Sequence, residues 1–201
     1  MPAMLLGRRT PVTTLLLVAI VVCYVLQIML GDSFTNQGVN FGPAVFQQGQ
    51  WWRPVTSMFL HGSFVHLLLN GWALYQLGSL FELWLGSAPL LGVYFVSGVA
   101  GSLASDLFTR SPSVGASGAI FGLLGALISF LLRRRGALNP QAKSLLMQLV
   151  GWAVINVFFG FSTPGIDNAA HLGGGAAGLL LGLGLRERLR VQPVAESQGL
   201  P

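Results

Sequence analysis

Apolar residues run along this chain in long blocks rather than in the short alternations of a half-buried strand. Six blocks come near the roughly 20 residues needed to cross a lipid bilayer as a helix. They lie near 11–30, 65–84, 89–106, 116–132, 144–161 and 168–185. Each is expected to be a helix, and the chain reads as an all-α membrane protein with a six-helix bundle. Residues 1–10 read as a cytoplasmic N-terminus, 11–190 as the membrane domain, and 191–201 as a short disordered tail. The first block follows Arg8 and Arg9, as a signal peptide would. However, it is long for a signal-peptide core and no A-x-A-like site follows it, so it reads as a retained helix.

Composition sharpens this picture. Only 8% of the 201 residues are charged and 53% are hydrophobic, against roughly 25% charged in a soluble domain. Lipid is therefore the solvent for most of the surface. The net charge of +5 does not argue for nucleic acid, because the basic residues cluster between apolar blocks. Arg8, Arg9, Arg133, Arg134, Arg135, Lys143, Arg186, Arg188 and Arg190 fall on one side of the six-span arrangement, and only Arg53 and Arg110 on the other. The positive-inside rule then puts both termini in the cytoplasm. The connection near 31–64 faces outward. It is long and carries Trp51, Trp52, Phe41, Phe46, Phe59 and Phe64, which suits a segment lying in the membrane interface. The single Cys23 cannot form an intramolecular disulfide.

Polar side chains inside apolar blocks are costly, so each is a candidate for function. His66 and Asn70 are four apart near the outer end of the second block, and Glu82 lies near its other end. Ser117 sits in Gly115-Ala116-Ser117-Gly118 at the outer end of the fourth. Asn168 and His171 open the sixth, three apart on one face. The second, fourth and sixth blocks all run inward, so His66, Asn70, Ser117 and His171 share a depth. Gly174, Gly178 and Gly182 follow His171 at offsets of 3, 7 and 11, while Gly118, Gly122 and Gly125 follow Ser117. Two such small-residue faces can pack with their backbones close and bring the serine hydroxyl towards the imidazole.

That pairing has a specific chemistry. A serine hydroxyl is a weak nucleophile until a neighbouring base takes its proton, and His is the usual base near neutral pH. Acyl transfer also needs donors for the developing oxyanion. The Ser117 amide, at a helix start, and the His66 and Asn70 side chains are candidates. No acid is expected in the dyad; Asp167 is a weak candidate for orienting the imidazole. Other readings stand beside this one. Gly-rich faces are common in membrane helices, Glu82 can be a satisfied structural group, and His61 reads most simply as a solvated loop residue. A channel would need polar groups through the full depth, whereas the inner halves of the fourth and sixth blocks are Leu, Gly and Ala. A metal site is disfavoured by three scattered histidines and no H-E-x-x-H.

These residues form a combination that resembles the rhomboid intramembrane protease family. The match comprises Trp52-Arg53, His61-x4-His66-x3-Asn70, Gly115-Ala116-Ser117-Gly118 and Asn168-x2-His171-x2-Gly174-x3-Gly178, within a resemblance covering about 11–190. The resemblance implies a six-helix bundle with a partly embedded first loop and an active site open to the outer side. It implies a serine endopeptidase cutting in or near transmembrane segments of membrane proteins. Ser117 would be the nucleophile, His171 the base, and His66, Asn70 and the Ser117 amide the oxyanion hole. Phe121, where many relatives have Tyr, would pack on His171, and Glu82 looks like a structural Glu of the family. No cofactor is implied; the partners would be transmembrane substrates and lipids. A bacterial inner membrane is the economical location. The alternative is a non-catalytic relative that binds transmembrane helices. Oligomeric state is left open.

Overall fold

The computed structural model describes residues 10–109 and 111–187. The tail at 191–201, all but the last residue of the segment 1–10, and Arg8, Arg9, Arg110, Arg188 and Arg190 lie outside the described residues. Nine helices follow one another among the described residues: α1 (Pro11–Leu30), α2 (Asp32–Gly38), α3 (Gly42–Phe46), α4 (Arg53–Thr56), α5 (Phe64–Leu85), α6 (Ser87–Phe108), α7 (Ser117–Arg133), α8 (Pro140–Ser162) and α9 (Asn168–Gly182). The six long ones coincide with the six apolar blocks to within a few residues. Three of them, α1, α6 and α8, are long and apolar enough to cross a membrane.

Local chemistry sets the helix ends. Pro stands in the first turn of α1 and of α8, where its missing N–H costs nothing. Asn139 caps α8 by accepting from the Ala142 N–H, and Ser63 caps α5 by accepting from the His66 N–H. Gly86, with φ of 99°, turns the chain directly from α5 into α6.

The core is centred on α7, in which every residue from Gly118 to Leu131 is buried. Helices α6 and α9 pack on it most extensively. The outside is the reverse of a soluble surface: Leu15, Ile28, Met147, Phe158 and Phe161 are 63–74% exposed. In lipid such residues gain nothing by meeting one another, so close backbone packing has to hold the helices together. The glycines supply it. A Cβ on Gly174 would overlap the Gly118 backbone, and one on Gly178 would overlap the Gly122 backbone. One on Gly101 of α6 would lie 2.7 Å from the Ala170 oxygen. Three helices therefore meet main chain to main chain at the level of Gly118.

Two polar clamps tie the helix ends remote from Ser117. The Glu82 carboxylate, 3% exposed, accepts from the Val12 N–H (3.0 Å), the Thr13 N–H (2.8 Å), the Thr13 hydroxyl (2.7 Å) and the Ser87 hydroxyl (2.7 Å). It supplies an anion to the positive end of α1 and satisfies two N–H groups that a helix start leaves open. The Arg133 guanidinium, on the last residue of α7, donates to the carbonyls of Gly182, Leu183 and Leu185 at the end of α9.

The sequence suggests only a long connection between α1 and α5. It contains α2, α3, α4 and a 3₁₀ turn at Ser57–Phe59, helices too short to produce an apolar period. Arg53 organises it by donating to the Asn36 and Val39 carbonyls (2.8 and 2.7 Å) and to Gln50 (2.5 Å). The Trp52 indole donates to the Gln37 carbonyl at 3.2 Å.

Candidate active site

Ser117 is the first residue of α7, so its N–H has no acceptor within the helix. The preceding Gly115 has φ of +132°, which L residues rarely adopt. A Cβ there would also sit 2.7 Å from His66 Cε1 and 2.9 Å from His66 Nε2, with the Ser117 hydroxyl 3.8 Å away. Glycine is therefore required twice over, and the His66 ring lies against the backbone that carries the serine.

The first connection holds that backbone in place. Asn40 and Ser113 exchange both backbone hydrogen bonds in an isolated bridge (3.0 and 2.9 Å), and the Gly115 N–H donates to the Ser57 carbonyl at 2.9 Å. The Asn40 amide, 1% exposed, also donates to the Ser102 carbonyl and to Asp106. A recess of about 10 Å³ opens beside Ser117, lined by Ser57, Met58, Gly98, Ser102 and Ala170 among others. It has room for about one water or a very small side chain.

His171 comes from α9. It is 9% exposed, and its ring stacks on Phe121 with centroids 4.2 Å apart and planes 10° from parallel. Phe121 is one turn below Ser117 on α7, so the serine and the imidazole stand at the same end of one helix crossing. Among the described residues no hydrogen bond joins the Ser117 hydroxyl to the His171 ring, and His171 Nδ1 is buried without a protein partner. Asp167 does not serve that nitrogen. Its side chain caps α9 by accepting from the Ala170 N–H at 3.0 Å.

Asn70 is buried on α5 and spends one N–H on the His66 carbonyl at 2.9 Å. A second N–H remains for a ligand. Asn168 is not brought to the serine. Its amide faces α8, near the Val157 carbonyl (3.4 Å) and against Gly160. Residues three apart on a helix differ by about 60° in direction, which separates Asn168 from His171. Trp52, Arg53 and Glu82 are likewise remote from the hydroxyl and act on the scaffold as described above. No group of three or more metal-ligating side chains is found among the described residues.

One expectation is overturned. His61 is not solvated: it is 2% exposed, and its ring lies 5.1 Å from that of His66, edge to face at 67°. Gln27 of α1 fixes its backbone by accepting from the His61 N–H at 2.9 Å and donating to the His61 carbonyl at 3.3 Å. Burial first, and then the neighbouring His66, lower the His61 imidazole to a pKa of about 4. A polar Gln27 inside the first apolar block was the available signal, since such a residue needs a partner.

The fold and this cluster define a helical, multi-pass integral membrane protein with a serine and a histidine brought to one helix crossing. The Rhomboid domain profile matches residues 48–188, and the chain belongs to the rhomboid family. It is 37% identical to rhomboid protease GluP of Bacillus subtilis over 171 residues, covering 84% of this chain and 33% of GluP. It is 32% identical to rhomboid protease AarA of Providencia stuartii, covering 89% of this chain and 73% of AarA. It is 40% identical to RHOMBOID-like protein 5 of Arabidopsis thaliana, covering 68% and 44%. The chain thus spans between a third and under half of GluP and of the Arabidopsis protein.

Proposed function

We propose that the chain is an intramembrane serine endopeptidase that hydrolyses peptide bonds in or near transmembrane segments of other membrane proteins. The observation that carries this reading is the main-chain contact of Gly118 with Gly174. It supports a pairing of Ser117 with His171 at one end of the same crossing, which in this reading is the outer end. In this reading Ser117 Oγ attacks the scissile carbonyl as its proton passes to His171. The oxyanion meets the Ser117 N–H, the His66 ring and the free Asn70 N–H. His171 then gives the proton to the leaving amine, and water hydrolyses the acyl-enzyme with the same base. Catalytic hydrogen bonds often close only when substrate is bound, so the open serine–histidine geometry suits a resting enzyme. All six long helices would span the membrane, with both termini cytoplasmic and the site near the outer surface of a bacterial inner membrane. The names of GluP and AarA support the reading.

Mass spectrometry after fluorophosphonate treatment tests it. Wild type in detergent is expected to carry one adduct, on Ser117, and His171→Ala to carry none. A folded wild type with no adduct would replace the protease reading by that of a non-catalytic binder of transmembrane helices.

A further inference from the structure

His61 is buried in the connection before α5, at 2% exposure, and its ring nitrogens make no well-formed hydrogen bond among the described residues, although a Phe59 backbone group is close enough to favour the charged ring. A buried polar ring so poorly satisfied costs stability, so an apolar ring of similar size would suit the packing at least as well. The ring is held from behind: Gln27 takes both the N–H and the carbonyl of His61, so its position is anchored to α1. In front of it stands a single aromatic neighbour, the His66 ring, edge to face at 5.1 Å. His66 also lies against Gly115, by its Cε1 and Nε2. The His66 ring therefore touches both the backbone that carries Ser117 and the ring of His61.

We propose that His61 is a positioning residue for His66, its polar ring fixing the plane and tautomer of the imidazole that lies against the Gly115 backbone beside Ser117. An imidazole has two inequivalent nitrogens, and only the one carrying hydrogen can donate to an oxyanion. A second imidazole against one face biases which nitrogen that is, through weak N–H to ring contact and dipole orientation. The inference rests on the reading of His66 as an oxyanion donor.

The chain has three histidines, so ¹⁵N-histidine labelling in micelles gives a spectrum that single substitutions can assign. In His61→Phe the expected result is a displaced or exchange-broadened His66 ring signal and a kcat for a transmembrane substrate lowered about tenfold. KM should be little changed and the thermal midpoint equal to or above wild type. Activity falling while stability holds is the signature that a merely structural histidine would not give. Should the Phe ring prevent folding, the smaller His61→Asn, which cannot present a ring, is expected to give the same signal change and the same fall in kcat. An unmoved His66 signal, a kcat within twofold of wild type, or a kcat lost only in step with stability would each overturn the proposal. If wild type neither reacts at Ser117 nor cleaves, the protease reading fails by itself, and the His66 signal still decides whether His61 positions that ring.

Discussion

At the scale of single residues, Gly115 shows how backbone freedom is used at the site. Its φ of +132° and the nearness of His66 leave no place for a methyl group. Strained backbone of this kind costs about 1–3 kcal/mol for an L residue, and each 1.4 kcal/mol is tenfold in rate when it falls on the transition state. Gly115→Ala is expected to slow cleavage by about 10–100-fold while helix content by circular dichroism stays at the wild-type level. A rate within twofold of wild type would show that His66 is not needed where it lies. As candidates, Ser117, His66, Asn70 and His171 stood out in the sequence because each is a polar group in or at the end of an apolar block. Asn168, expected only as a supporting residue near His171, turns its amide towards α8 and Gly160, a direction that periodicity gives to within only about 60°. His61 was missed because its burial depends on how an irregular segment folds back, which no helical or strand period records.

At the scale of elements, the long helices were legible and the connection between α1 and α5 was not. Helices of four to seven residues, held by the Arg53 guanidinium and backbone carbonyls, leave no apolar repeat to read. The role of Glu82 was legible only as a question. The sequence shows an acid inside an apolar block, and the structure supplies the donors: two N–H groups and two hydroxyls of α1 and α6. Hydrogen bonds to an ionised acceptor are roughly twice as strong as neutral ones. Glu82→Gln keeps the shape and loses the charge, so it is expected to destabilise the fold by about 1–3 kcal/mol. Reversible unfolding in mixed micelles measures this. An unchanged midpoint would mean that α1 is held by packing alone.

At the scale of the whole molecule, charge distribution carries the remaining argument. Arg133, Arg134, Arg135 and Lys143 lie at the turn between α7 and α8, and α9 ends beside them, its last carbonyls taken by Arg133. The proposed orientation puts that cluster in the cytoplasm and the connection near Gln48 outside. With Cys23 replaced by Ser, an impermeant maleimide is expected to label Gln48→Cys on intact bacteria and Ser144→Cys only after permeabilisation. The reverse pattern would turn the molecule over and place the site on the cytoplasmic side.

The seam between α7 and α9 has one more consequence. Where Gly118 meets Gly174 and Gly122 meets Gly178, contact is between main-chain atoms, and those atoms are the same in every amino acid. The spacing of α7 from α9 is thus set by glycine main chain, and any side chain placed on Gly174 or Gly178 would force the two helices apart. Rotamer fluctuation, thermal or chemical, has no purchase on it. Residues on the lipid-facing exterior can be exchanged for others of similar polarity, or bathed in lipids of different composition, and the spacing of the α7 and α9 backbones that carry the hydroxyl and the imidazole stays the same.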